Sequence, residues 1–205
     1  MPPSENYSVQ PLPFSTPLRG LSPASVSIHH DKLYQGYVNK RNEISDALSE
    51  SSALWSSANQ TYSAYRALAD GLSFAANGIY LHEDYFSALG GNEPANGPLL
   101  DALNSEFGSL TNFLSELKAA GLAWRGWVVL AWDTRLGALR LYGGDTHHQG
   151  GVWGALPILV MDVYEHAYFQ DYGADRAAYI EAFIENLNWT WLNDRFSRVK
   201  NIKLN

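Results

Sequence analysis

Apolar positions repeat at helical spacing through the first half of the chain and give way to strand-like runs only after residue 125. From Ser22, the segment SPASVSIHHDKLYQGYVNKRNEISDALSE carries apolar residues at Val26, Leu33, Tyr34, Tyr37 and Val38. Ser22 suits an N-cap and Pro23 a first helical turn, so the pattern predicts a helix on which His29 and Leu33 share a face. The serine-rich SESSALWSSANQ weakens the pattern, TYSAYRALADGLSFAANGIYLHEDYFSALGG resumes it, and Gly90 and Gly91 stop it. Together these segments predict a long helical hairpin over 21–91, after a proline-rich arm over 1–20.

GGNEPANGP, at 90–98, concentrates turn formers between two patterned regions and marks a boundary, with a second unit expected over 99–205. In that unit LLDALNSEFGSLTNFLSELKAAG predicts two short helices. GWVVLAWD and ALRLYGG, joined by TRLG, predict an antiparallel hairpin, ALPILVMD a third, buried strand, and the stretch from Ala174 to Val199 a return to helix. The fold class is therefore α+β: an N-terminal helical hairpin followed by a C-terminal α/β domain with a three-stranded antiparallel sheet.

Composition narrows the chemistry. A formal charge of −7 and a pI near 5.3 argue against nucleic-acid binding, which needs clustered Lys and Arg. No apolar run approaches the length of a membrane span, and MPPSENYSVQ lacks a basic and then apolar leader, so a cytoplasmic protein is expected. With no cysteine in the chain, any metal must be held by His, Asp or Glu.

DVYEH, at 162–166, sets Asp162 and His166 four residues apart where the third strand leaves its sheet. Alone, the pair fits a helix-capping Asp equally well. His29 and His82 alter the balance, because each lies in a long, aromatic-rich helical segment that can converge on the pair. Three imidazoles and one carboxylate suit iron, manganese or zinc, and leave a position open for redox or Lewis-acid hydrolytic chemistry.

The order of motifs resembles the iron/manganese superoxide dismutase family from about Leu12 to Phe196. LPF at 12–14, IHHDKLYQGYV at 28–38, LHEDYF at 81–86, FGSL at 107–110, RGWVVL at 125–130, DVYEHAYFQDY at 162–172 and NWTWLNDRF at 188–196 carry it. The resemblance implies one metal ion per subunit, iron by preference or manganese, held by His29, His82, Asp162 and His166 with solvent as fifth ligand. It implies superoxide as substrate, oxygen and hydrogen peroxide as products, an antioxidant role, and a homodimer or dimer of dimers.

The resemblance also assigns the surroundings. Tyr37 takes the gateway position, and Phe86, Trp127 and Tyr164 form an aromatic wall, with Phe86 and Tyr164 replacing the more usual Trp. The glutamine that some members supply from the second helix is Gly78 here. The loop GGDTHHQGG offers His147 for that task, with Gln149 and His148 behind it. Glu165 stands where the family reaches a partner subunit's ligand histidine. Leu33 and Phe169 jointly replace a hydrogen-bonded His and Tyr across the interface; losing both avoids stranding one buried polar group.

Lys32 and Arg176 match basic positions of the family's substrate funnel, while Gly173 replaces another. Val160 replaces the glycine usual in manganese-type members, which favours iron. The altered surroundings leave a second reading, a catalytically weak or inactive metal-binding relative. A His3Asp zinc hydrolase is the third, disfavoured for want of an evident general base.

Overall fold

The computed structural model describes residues 6–49 and 52–204. The first five residues of the expected arm, with Glu50 and Ser51 of the serine-rich stretch, lie outside the described residues. The arm from residue 6 lies against the helices that follow: the Tyr7 N–H donates to Asn42 Oδ1 (2.9 Å), the Tyr7 hydroxyl to Glu83 Oε2 (2.8 Å), and Leu18 and Leu21 enter the core.

The first helical rod has three parts: α1 (Pro23–Ile28), a π-helical turn (His29–Tyr34) and α2 (Gln35–Ser49). Ser22 caps it, its hydroxyl accepting from the Ser25 N–H at 3.1 Å, with Pro23 in the first turn. In the π turn the Gln35 N–H reaches the His30 carbonyl, five residues back. The serine-rich interruption contains a short helix, α3 (Ser52–Ser56), before α4 (Ala64–Ser87), which Ser63 caps and which packs along α2.

α5 (Gly97–Phe107) and α6 (Leu110–Ala123) lead to the sheet, whose strands β1 (Trp127–Asp133), β2 (Ala138–Gly144) and β3 (Ala155–Asp162) are antiparallel in the order β2-β1-β3. β1 pairs Leu130 with Leu159 but Ala131 with Pro157, so Ile158 is an extra residue in edge strand β3. Proline is tolerated there because an edge strand needs fewer donors, and the Pro157 carbonyl accepts from Arg195 Nε at 3.0 Å.

After β3 comes α7 (Glu165–Tyr172). The helical stretch expected from Ala174 to Val199 is two helices, α8 (Arg176–Glu185) and α9 (Trp189–Val199). Two side chains make the break: Asn186 accepts from the Arg19 N–H (2.9 Å) and donates to the Arg19 carbonyl (2.7 Å), and Asn188 caps α9 at the Trp191 N–H (3.0 Å). One apolar core runs from Leu18 through Ile79, Leu103 and Leu159 to Val199, so α4 lies directly on the sheet. Among the described residues, no helix is long and apolar enough to cross a membrane.

Candidate metal centre

Four chain segments bring one donor each to a single point. His29 opens the π turn, His82 lies on the buried face of α4, Asp162 ends β3, and His166 falls in the first turn of α7. Asp162 Oδ2 is 3.2 Å from His29 Nε2, 3.1 Å from His166 Nε2 and 3.7 Å from His82 Nε2. All four donor atoms lie within 4.8 Å of one another. The other Asp162 oxygen, Oδ1, accepts from the Tyr164 N–H at 2.9 Å; Tyr164, not Asp162, is the N-cap residue of α7, and no side chain caps that helix.

The tautomer of His82 follows from its partners. Its Nδ1–H donates to the Gly78 carbonyl one turn earlier on α4, which leaves Nε2 as a bare lone pair. That atom is fully buried and, among the described residues, is the buried side-chain nitrogen or oxygen without a hydrogen-bond partner. An orphaned acceptor costs about 1–3 kcal/mol. A metal ion removes that cost.

Charge points the same way. Burial lowers the pKa of His29, and burial together with His29 lowers that of His82 to about 3, so both imidazoles are neutral. Burial opposes charge on Asp162 and His166 as well, but their mutual attraction prevails. The carboxyl is held well below the usual carboxylate range and the His166 imidazole is raised. A buried anion within reach of three imidazole nitrogens, two of them on neutral rings, is a cation site in which a metal ion would take the place of the His166 proton, and an N3O donor set suits iron or manganese.

The π turn decides what else faces the centre. At about 100° per residue, eight positions of a regular α-helix would set Tyr37 about 80° away from His29. The extra residue in the turn makes those eight positions count as seven, which closes the angle to about 20°. Tyr37 thus returns to the face of His29, with its ring 5.3 Å from that of His82. Gly78 makes room: a Cβ there would lie 2.9 Å from the Tyr37 ring.

The loop after β2 supplies His147. The Trp127 indole N–H donates to His147 Nδ1 at 2.9 Å, so the imidazole proton sits on Nε2, which donates to the Tyr37 hydroxyl at 2.8 Å. Burial lowers the His147 pKa to about 4 and, with the Asp162 charge, raises that of Tyr37, so both groups stay neutral. Tyr164 stacks on His166 (5.2 Å, 15°) and stands edge-on to Trp127 (6.1 Å), and Phe86 packs edge-on to His29 at 5.1 Å.

The structure does not bring Gln149 into this group. The backbone of Gln149 pairs with Thr146 across a tight turn, which leaves the residue exposed on the outside. His148 also turns away, to Asp70 Oδ1 at 3.2 Å. Lys32 is exposed on the π turn, whereas Arg176 is engaged with the Tyr168 hydroxyl (3.1 Å) and the Trp124 carbonyl (2.8 Å). Leu33 is half-buried, Glu165 exposed, and Phe169 59% exposed on α7.

Three further residues shape the site. Phe74 packs against His147 (4.4 Å) and Tyr37 (6.0 Å); it lies eight positions before His82 with Gly78 midway, an i, i+4, i+8 stripe legible in the sequence. Tyr85 packs against His29 at 5.1 Å. The Tyr179 hydroxyl donates to the Asp162 carbonyl at 2.6 Å and lies 3.3 Å from the Tyr85 hydroxyl. That carbonyl partner could not be read from spacing.

Comparison with known proteins agrees with this geometry. Residues 95–195 match the family described as iron/manganese superoxide dismutases, C-terminal domain. Over 197 residues the chain is 39% identical to "Superoxide dismutase [Fe]" of Aquifex aeolicus (strain VF5), covering 94% of this chain and 92% of that one. It is 40% identical over 184 residues to "Superoxide dismutase [Fe]" of Aquifex pyrophilus, covering 88% and 86% respectively. It is 35% identical over 197 residues to "Superoxide dismutase [Mn] 1" of Halobacterium salinarum, covering 94% and 96%. On these grounds, the chain belongs to the iron/manganese superoxide dismutase family.

Proposed function

We propose that the protein is an active superoxide dismutase, converting two superoxide anions and two protons to oxygen and hydrogen peroxide. His29, His82, Asp162 and His166 hold the metal. The observation that carries this reading is the convergence of four donor atoms within 4.8 Å, one of them the unpartnered, fully buried His82 Nε2. When bound, iron or manganese supplies the one-electron couple that oxidises one superoxide and reduces the next.

The protein's own residues manage protons and access. Trp127 fixes the His147 proton on Nε2, and His147 Nε2–H orients the Tyr37 hydroxyl so that its own proton is free to point at the site. Tyr37 is the proton donor nearest to substrate, and His147 is its support. Phe86, Trp127 and Tyr164 exclude bulk water and hold the imidazoles in place. Lys32 supplies exposed positive charge to draw the anion toward an otherwise acidic protein, and the partly exposed Arg176 adds to it.

The preferred metal is iron. Relatives named for iron and for manganese both match, and Val160, buried two residues before Asp162, favours iron. The assembly is a two-fold dimer: Phe169 and Glu165 are exposed beside His166, where reciprocal contacts from a partner would cover them.

The test is to load purified protein separately with iron and with manganese, measure metal content, and follow superoxide decay by stopped flow. Acceleration with at least one metal is expected, greater with iron. Stoichiometric metal without acceleration would overturn the reading in favour of a metal-binding relative.

A further inference from the structure

His147 serves Tyr37 only where it stands, and it stands on a short turn between two pairs of glycines. The turn, Thr146–Gln149, lies within a stretch containing Gly143, Gly144, Gly150 and Gly151 and closes on a single bridge between Thr146 and Gln149. The glycines let the loop's backbone fold closely on itself: a Cβ at Gly144 would meet the Gln149 carbonyl and one at Gly150 the Gly143 carbonyl. Besides the hydrogen bonds of His147 itself, contacts at both ends restrain it, and at Asp145 the carboxylate already accepts from the Arg125 backbone N–H and guanidinium, each at 3.2 Å. At its start the Tyr164 hydroxyl donates to the Asp145 carbonyl at 3.0 Å. At its tip His148 Nε2 meets Asp70 Oδ1 of α4 at 3.2 Å, with Thr146 Oγ1 3.3 Å from His148 Nδ1 and Phe74 edge-on at 5.3 Å.

We propose that Tyr164 and the His148–Asp70 pair are positioning residues that clamp this turn and thereby set the His147–Tyr37 hydrogen bond. The inference rests on the dismutase reading above. His147 and His148 are adjacent in a four-residue turn, so displacement of one side chain's anchor tilts the other. The Asp145 carbonyl lies two residues before His147, so a clamp there fixes the opposite end of the same lever. Tyr164 reaches it because a phenol ends in a hydroxyl at that distance; a Phe would fill the same space against His166 and leave the carbonyl unheld. Asp70 is exposed near the start of α4, where alanine suits the helix, so its removal tests the clamp without burying a defect.

The experiment uses the full-length iron-loaded protein as parent, Asp70→Ala, Asp70→Glu and Tyr164→Phe, with Asp70→Ala and Tyr164→Phe also made in a Tyr37→Phe background. Turnover is measured at saturating and at low superoxide, together with amide hydrogen exchange over 143–151. Asp70→Ala and Tyr164→Phe should each lower saturated turnover about two- to fivefold, the range an exposed ion pair or single hydrogen bond spans. The low-superoxide rate of Asp70→Ala should not fall, since the change removes an exposed negative charge from an acidic protein that must attract an anion. Asp70→Glu should restore turnover.

In the Tyr37→Phe background neither substitution should have further effect, because the group being positioned is gone. Exchange over 143–151 should rise in Asp70→Ala and Tyr164→Phe and return to the parent level in Asp70→Glu. Unchanged exchange in both variants refutes the clamps whatever the turnover, and losses that persist in full without the Tyr37 hydroxyl refute the positioning role. An inactive parent would count against the dismutase reading instead, while exchange still decides whether the clamps hold the turn.

Discussion

Gly78→Ala is a small change with two opposed effects. A Cβ at position 78 would lie 2.9, 3.0 and 3.3 Å from three carbons of the Tyr37 ring, where carbon pairs prefer about 3.5–4.0 Å. Alanine for glycine in a helix interior contributes about 1 kcal/mol, and overpacking a tight contact costs about 1–3 kcal/mol. The net is a loss of about 0–2 kcal/mol, which at this chain length lowers Tm by no more than about 8 °C. Function suffers more. Moving the ring by about 0.5 Å takes the 2.8 Å His147–Tyr37 contact to the limit of a hydrogen bond, and misplaced proton donors cost about three- to tenfold in turnover. The assay pairs thermal unfolding of the metal-loaded protein with saturated superoxide decay. A variant stabilised by about 1 kcal/mol with undiminished turnover would show that the ring yields freely and that Gly78 is not reserved for it.

His147→Ala should lower saturated turnover by about tenfold or more with metal content intact, whereas His147→Gln, whose amide can both accept from Trp127 and donate to Tyr37, should stay within about threefold of the parent. Removing the metal with a chelator should lower Tm by several degrees and leave the helices in place, read by circular dichroism, because the ligands are positioned by elements with their own core contacts. Burial raises the Asp84 pKa to about 6, against the partly opposing Arg195, so below that pH the folded state takes up a proton that the unfolded chain binds only near 4. Relative to Asp84→Asn, the parent should therefore gain about 2–3 kcal/mol as pH falls from 7 to 4, measured by denaturant unfolding; a constant difference would refute it.

The parts of the structure that depend on hydrophobic pattern were legible in the sequence. ALRLYGG and ALPILVMD coincide with β2 and β3, and the hairpin turn falls on TRLG, because apolar runs bounded by turn formers leave few alternatives. The π turn left no such trace: its signature is a backbone hydrogen bond from Gln35 to His30, and residues 29–34 read equally well as α-helix. The break at Asn186 depends on the backbone of Arg19, 167 residues earlier, a contact that no local pattern encodes. His147 and Gln149 were both candidates because composition does not say which way a turn faces. The bridge between Thr146 and Gln149 decides it.

The third strand carries a consequence beyond the site. ALPILVMD is an almost wholly apolar edge strand, the kind of segment that pairs with its own copies when a chain is newly made or partly unfolded. Pro157 removes one donor from that edge, the extra residue Ile158 breaks its straight register, and Arg195 occupies the carbonyl beside them. The strand that carries Asp162 to the metal is thus a poor template for fibrils, and Pro157→Val should accelerate aggregation on heating more than it alters the folded state.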